Sequence, residues 1–131
     1  MLGEGHRSRV LAVVAALNEE EGIGLTIAEL QQHLENPRVL VVDGHSVDRT
    51  VEVAKGLEAD IVFQEGKGKG DAIAAAIQRI NGDVDYVVFT DADYTYPAEY
   101  LLRMKRILDE NPRVGMGCGN ACVEIGQSCQ Y

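Results

Sequence analysis

The chain has 131 residues, a net charge of −9, and hydrophobic and charged fractions of 46% and 25%, which fit one soluble globular domain and exclude two ordinary ones. The acidic balance argues against nucleic acid as a partner, and admits an anionic small molecule only beside a local cation or metal. No apolar run reaches the length of a membrane span, "MLGEGHRSR" (1–9) has no apolar segment directly behind a basic one as expected of a signal peptide, and three cysteines, an odd number, point to a reducing compartment, the cytoplasm.

In chain order, "RVLAVVAAL" (9–17) reads as a buried strand. "LTIAELQQHL" (25–34) reads as a helix with Leu25, Ala28, Leu30 and Leu34 near one face. "PRVLVVDG" (37–44) is a second buried strand. "SVDRTVEVAKGL" (46–57) reads as a helix opened by a serine N-cap, with Val47, Val51 and Ala54 on one side. "DIVFQ" (60–64) is a short third strand, and "GDAIAAAIQRI" (70–80) an alanine-rich helix with Ile73, Ile77 and Ile80 at helical spacing. "DYVVFT" (85–90) is a fourth strand. "PAEYLLRMKRILDE" (97–110) opens with proline at a helix start and carries Leu101, Met104 and Leu108 on one side. "RVGMGCG" (113–119) is the candidate for a fifth strand.

Strands alternating with helices, and apolar on both faces, imply an α/β fold: a mostly parallel sheet covered by helices on both sides. Right-handed crossovers bring the carboxyl ends of such strands to one edge, where ligands bind. Polar clusters then meet on that rim: "NEEE" (18–21), "DGHS" (43–46), "EGKGKG" (65–70) and "DAD" (91–93) follow the four strands in turn.

Asp91 and Asp93 are the sharpest of these signals. In extended chain, residues i and i+2 point the same way, so both carboxylates would aim at one point beyond the sheet. A divalent cation between them removes their repulsion, and hard oxygen ligands favour Mg²⁺ or Mn²⁺. Alone, D-x-D more often marks solvated turn aspartates; after a buried strand and beside the other clusters, the metal reading leads. "GKGKG" (66–70) is neither a dinucleotide fingerprint, since Asp71 stands at the third glycine, nor a Walker loop, since no G-K-[ST] occurs. His45 is a loop histidine, more often exposed than liganding. Cys118, Cys122 and Cys129 fit no standard zinc spacing. Tyr94, Tyr96 and Tyr100 read as packing residues around the site.

"ALNEEEGI", "VVDGHSVDRT", "GKGDAI" and "VFTDADYTYP", in this order, resemble the family 2 nucleotide-sugar glycosyltransferases of GT-A fold, in particular the dolichol-phosphate mannose and glucose synthases. The resemblance implies a Rossmann-like nucleotide-binding half. It implies that Ala15, Leu17 and Glu19 line the nucleoside pocket, with Glu19 accepting ribose hydroxyls, and that Asp43 lies in a base-contacting region. Asp48 and Thr50 would cap the following helix and fix its loop. Gly68, Lys69 and Gly70 would let the backbone approach the donor, with Lys67 or Lys69 offsetting phosphate charge. Asp91, Ala92 and Asp93 match the metal and diphosphate site, for Mg²⁺ or Mn²⁺.

The implied activity is metal-dependent, inverting transfer of a hexose from a nucleoside-diphosphate sugar (GDP-mannose or a UDP-sugar), by analogy to a polyprenyl phosphate. That acceptor places the protein in the cytoplasm, peripheral to the membrane face. "GNACVEIGQSCQY" (119–131) departs from the pattern of relatives, so residues 1–131 are expected to form a single nucleotide-sugar-binding domain without the acceptor-binding part. A homo-oligomer is the expectation if one flank of the sheet stays uncovered. The alternative is a non-catalytic nucleotide-sugar-binding or assembly module.

Overall fold

A computed structural model describes residues 9–80, 82–93, 98–111 and 113. Strands and helices alternate as β1 (Val10–Ala16), α1 (Ile23–His33), β2 (Arg38–Asp43), α2 (Thr50–Gly56), β3 (Asp60–Phe63), α3 (Gly68–Ile77), β4 (Tyr86–Asp91) and α4 (Ala98–Glu110). The strands form one parallel sheet in the order β3-β2-β1-β4. The candidate strand at 113–119 lies, apart from Arg113, outside the described residues.

Alternation along β1 builds the two halves of the core. Val10, Ala12, Val14 and Ala16 point to one face, with Val39 and Val41 of β2, and pack against Ile23, Ile27 and Leu30 of α1, Ala54 of α2 and Leu101 of α4. Leu11 and Val13 point to the other, with Leu40 and Val42, and pack against Ala72 and Ala76 of α3. Val14, Val41 and Val42 are fully buried. At about 1.5–3 kcal/mol for each large apolar side chain buried, the two central strands dominate the driving force. β4 is half-buried along its length, and Phe89 on it is 46% exposed. Tyr86 at its start is tied to α4: the phenol donates to Asp109 Oδ1 at 2.5 Å, and Lys105 pairs with the same carboxylate at 3.0 Å. The Asp109 bond, with desolvation second, holds the Tyr86 phenol above its ordinary pKa.

Three helix faces differ from those expected. The buried side of α1 is Ile23, Thr26, Ile27 and Leu30, while Leu25 is exposed. The helix starts two residues before the expected boundary, and its orientation follows Ile23 into the sheet. In α3 the contact is made by Ala72 and Ala76, and Ile77 faces solvent. Small residues four apart let that helix lie close to the strands, which the isoleucine spacing does not reveal. Ser46 does not cap α2, which begins at Thr50, and Val47 is 90% exposed. The segment from 46 to 49 is rim loop, because Ser46 is bonded elsewhere, as described below.

Backbone bonds extend the register past the strand ends. Gly44 N–H donates to Ala16 O at 2.9 Å, Gln64 N–H to Asp43 O at 3.0 Å and Ala92 N–H to Ala15 O at 3.1 Å. The loops after β1, β2, β3 and β4 therefore leave the sheet at one level. The order β3-β2-β1-β4 reverses direction between β1 and β4, which makes that crevice the topological switch point.

Gly22, the N-cap of α1, closes this crevice from above. A Cβ placed on it would lie 2.6 Å from Ala92 O and 3.1 Å from Asp93 Cα, both backbone atoms that cannot swing aside. Gly22→Ala is therefore expected to destabilise the fold by about 1–3 kcal/mol, through overpacking. Gly56→Ala, where an added Cβ meets nothing within 4 Å, is expected to be neutral or to gain up to about 1 kcal/mol. Urea denaturation of both variants checks the contrast; a neutral Gly22→Ala would remove the close approach.

Candidate functional site

The loops after β1 and β2 are laced together side chain to backbone. Asn18 N–H donates to Ser46 Oγ, and Val47 N–H donates to Asn18 Oδ1, each at 2.8 Å. Glu19 N–H donates to Thr50 Oγ1 at 2.8 Å, Glu20 N–H to Asp48 Oδ2 at 3.2 Å, and Arg49 N–H to Glu20 Oε1 at 2.9 Å. Asp48 also accepts the Thr50 N–H at 3.0 Å and the Thr50 hydroxyl, so the loop-fixing expected of this pair is present, while the N-cap of α2 is Arg49, which makes no side-chain cap bond. Desolvation raises the Asp48 pKa, but the bonds from Thr50 and Glu20 outweigh it and hold the carboxyl below its ordinary value.

Asp43, at the end of β2, is fully buried. Its Oδ2 accepts the N–H groups of His45 and Ser46, each at 2.8 Å, and its Oδ1 accepts the Ser46 hydroxyl at 2.6 Å. This carboxylate folds the "DGHS" turn, with His45 at φ 72°. The His45 ring stacks on Phe63, centroids 6.2 Å apart, and its Nε2 lies 2.6 Å from Gln64 O.

Gln64 organises the glycine loop. Its side-chain nitrogen donates to Gly66 O and Gly68 O, each at 3.2 Å, and to Asp71 Oδ2 at 3.4 Å. The same Asp71 oxygen accepts Gly66 N–H at 2.9 Å. Gly68 takes φ +87°, a conformation glycine adopts without strain, and opens α3 on the rim. The next residue is Lys69, whose Nζ lies 2.9 Å from Asp91 Oδ1 and 3.1 Å from Oδ2.

Asp91 is the last residue of β4, and its side chain is 32% exposed. The chain does not continue extended beyond it: Ala92 and Asp93 form a turn. The alternation argument for two carboxylates aimed alike therefore fails at Asp93, which reaches the rim on a turn. Ala92 is buried, so only its backbone faces the crevice. Among the described residues no group of three or more His, Cys, Asp or Glu is placed to hold a metal. The donor set still fits Mg²⁺ or Mn²⁺: all of it is carboxylate oxygen, such ions take one or two carboxylates with phosphate and water completing the shell, and Asp91 already receives a cation.

Of the remaining residues named from sequence, Ala15 is half-buried opposite Asp91 in the β1–β4 register, Leu17 is 56% exposed on the rim, and Glu19 is half-buried. Tyr100 is 49% exposed on α4, where Arg103 lies over its ring, so it does not pack around the site. Tyr94, Tyr96, Cys118, Cys122 and Cys129 lie outside the described residues. Gln64, Asp71, Asn18 and Gly22 are the structural finds. Asn18 at φ 53° carries a sequence signal, since asparagine tolerates that region; a glutamine ending a strand carries none. The cleft lined by Arg9, Glu35, Asn36, Arg38 and Asp83 lies at the amino ends of the strands, away from this rim.

Comparison with known proteins agrees with this geometry. The family model described as Glycosyl transferase family 2 matches residues 11–126. A dolichyl-phosphate hexose transferase of Haloferax volcanii is 37% identical over 106 residues, covering 80% of this chain and 45% of the relative. The low-salt glycan biosynthesis hexosyltransferase Agl6 of the same organism is 38% identical over 109 residues, covering 79% of this chain and 26% of the relative. Among solved structures, glucosyl-3-phosphoglycerate synthase from Mycobacterium tuberculosis, in complex with Mn²⁺, UDP and glucosyl-3-phosphoglycerate, superposes with a TM-score of 0.63 at 26% identity, over 77% of this chain and 40% of that one. The chain thus spans less than half the length of each of these relatives. With this match over most of its length, the chain belongs to glycosyl transferase family 2 and carries its GT-A nucleotide-sugar-binding fold.

Proposed function

We propose that residues 1–131 supply the donor-binding domain of a metal-dependent, inverting hexosyltransferase. The donor is a nucleoside-diphosphate sugar, GDP-mannose or a UDP-sugar, and the acceptor a polyprenyl phosphate. The observation that carries this reading is the Lys69–Asp91 ion pair at the switch point of the sheet, at the N-terminus of α3, with Asp93 on the turn that follows. The Haloferax relative, named a dolichyl-phosphate hexose transferase, supports the acceptor class. The Mycobacterium synthase, with Mn²⁺ and UDP bound, supports the donor class and the ion.

In this reading Asp91 and Asp93 hold Mg²⁺ or Mn²⁺ together with the donor diphosphate, and Lys69 adds positive charge on the phosphate side. The bound ion would neutralise charge that builds on the departing diphosphate. Ala15, Leu17 and Glu19 form the nucleoside side, with the Glu19 carboxylate accepting ribose hydroxyls. Asp43 acts through the turn it folds, and Ala92 through its backbone. An acceptor phosphate is already anionic and needs little activation by a base. The site of action would be the cytoplasmic membrane face, where a polyprenyl phosphate acceptor would be met; among the described residues no helix is long and apolar enough to cross a membrane.

Calorimetry with UDP and with GDP tests the shared ion. Affinity for the diphosphate that fits is expected to rise about tenfold or more with Mn²⁺ over the value in chelator; equal affinities would remove the metal from the site. Asp93→Asn is expected to lower that affinity about tenfold, and His45→Ala less, because His45 has only a loop-folding role here. A larger loss in His45→Ala would reassign the rim.

A further inference from the structure

The proposed ion and Lys69 want the same oxygens. Both carboxylate oxygens of Asp91 face the ammonium, at 2.9 and 3.1 Å. An ion at about 2.1 Å from either oxygen would sit within a few ångströms of that ammonium. Repulsion between a divalent and a monovalent cation at such a distance cancels much of the attraction that Asp91 offers. Asp91 therefore accommodates one of the two closely, not both.

The geometry also shows which part can move. The loop that leads to Lys69, on the first turn of α3, is pinned by Gln64 to Gly66 O and Gly68 O, and Asp71 holds Gly66 N–H. The Lys69 side chain is 64% exposed on a flexible four-carbon stem. An ion pair this exposed is weak enough to exchange. We propose that Lys69 is an exchangeable counter-cation: it holds Asp91 while the donor site is empty and hands the carboxylate to the divalent ion when the diphosphate arrives. The ammonium then finds a new anion in the phosphate oxygens. Free metal is thereby disfavoured and metal arriving with nucleotide favoured, and by linkage each raises the affinity for the other. This inference rests on the donor and metal reading given above.

Electron paramagnetic resonance of Mn²⁺ tests it without any transfer assay. Mn²⁺ is titrated into the wild type, Lys69→Met, Lys69→Gln and Lys69→Arg, each alone and with UDP or GDP. Without nucleotide, Lys69→Met and Lys69→Gln are expected to bind Mn²⁺ about three- to tenfold tighter than the wild type, and Lys69→Arg to stay near it. With nucleotide the ranking is expected to invert, because the neutral variants lose the phosphate contact. If the neutral variants alone bind Mn²⁺ no tighter than the wild type, while the wild type does capture it with nucleotide, the exchange is overturned and the donor reading stands. If no form captures Mn²⁺ with either nucleotide, the donor and metal reading is overturned, and the exchange with it. Two neutral variants of an exposed residue guard against one of them misfolding.

Discussion

Acidic residues crowd the carboxyl edge of this sheet, and the site depends on how each is held. A carboxylate taken from water without partners costs several kcal/mol, so a rim rich in aspartate must supply donors or cations locally. Asp43 is fully buried and is met by two N–H groups and a hydroxyl. Asp48 is met by Glu20 N–H and by Thr50 through both its backbone and its hydroxyl. Asp71 is met by Gly66 N–H and the Gln64 amide. Asp91 is met by an ammonium. The first three are satisfied by groups of the fold itself and so become parts of the scaffold. Asp91 is satisfied by an exposed side chain on a flexible stem, and that difference sets it apart from the structural positions.

The lacing of the loops follows from the same economy. Parallel strands paired in register deliver their loops at one level, but loops alone are soft. Here Asn18, Ser46, Asp48 and Thr50 place polar side chains on the backbone of the opposing loop, so the β1–α1 and β2–α2 segments are tied into one unit. Gly22 then fixes that unit against the turn at Ala92 and Asp93 by close backbone approach. The rim is thus built largely from hydrogen bonds on top of an apolar platform, and geometric precision at Asp91 is inherited from β1 through the Ala15 register.

The platform was readable from sequence because its signals are local and repeated. Short apolar runs bounded by polar residues locate all four described strands, and their regular alternation with helices implies the parallel sheet. The ordered motifs pointed to the family. What could not be read was which helix face turns inward. Leu25 and Ile77 are large and apolar yet exposed, because the sheet selects Ile23 and Ile27 in one helix and small Ala72 and Ala76 in the other. That selection is a tertiary fit, invisible to periodicity in short amphipathic segments. The role of Ser46 was missed for a related reason. A serine before a helix suits capping, but here the hydroxyl has a buried carboxylate within 2.6 Å, contributed by the end of the preceding strand. Two carboxylates aimed alike need extended chain through Asp93, and the strand ends at Asp91.

An acidic chain proposed to take an anionic donor presents an apparent conflict, and distances resolve it. At physiological ionic strength the Debye length is about 8 Å, so most of the net charge of −9 acts only weakly on a ligand at the rim. What a diphosphate meets at contact range is the Lys69 ammonium and the opening turn of α3, whose free N–H groups favour anions. Against these stand Asp91 and Asp93, which repel phosphate unless a cation intervenes. The sign of the local field therefore depends on what occupies Asp91. With Lys69 on the carboxylate, Asp91 and Asp93 leave one net negative charge; in the proposed reading a divalent ion would turn the site attractive to diphosphate, and the chain's acidity would then act as selectivity for a donor that arrives with its metal.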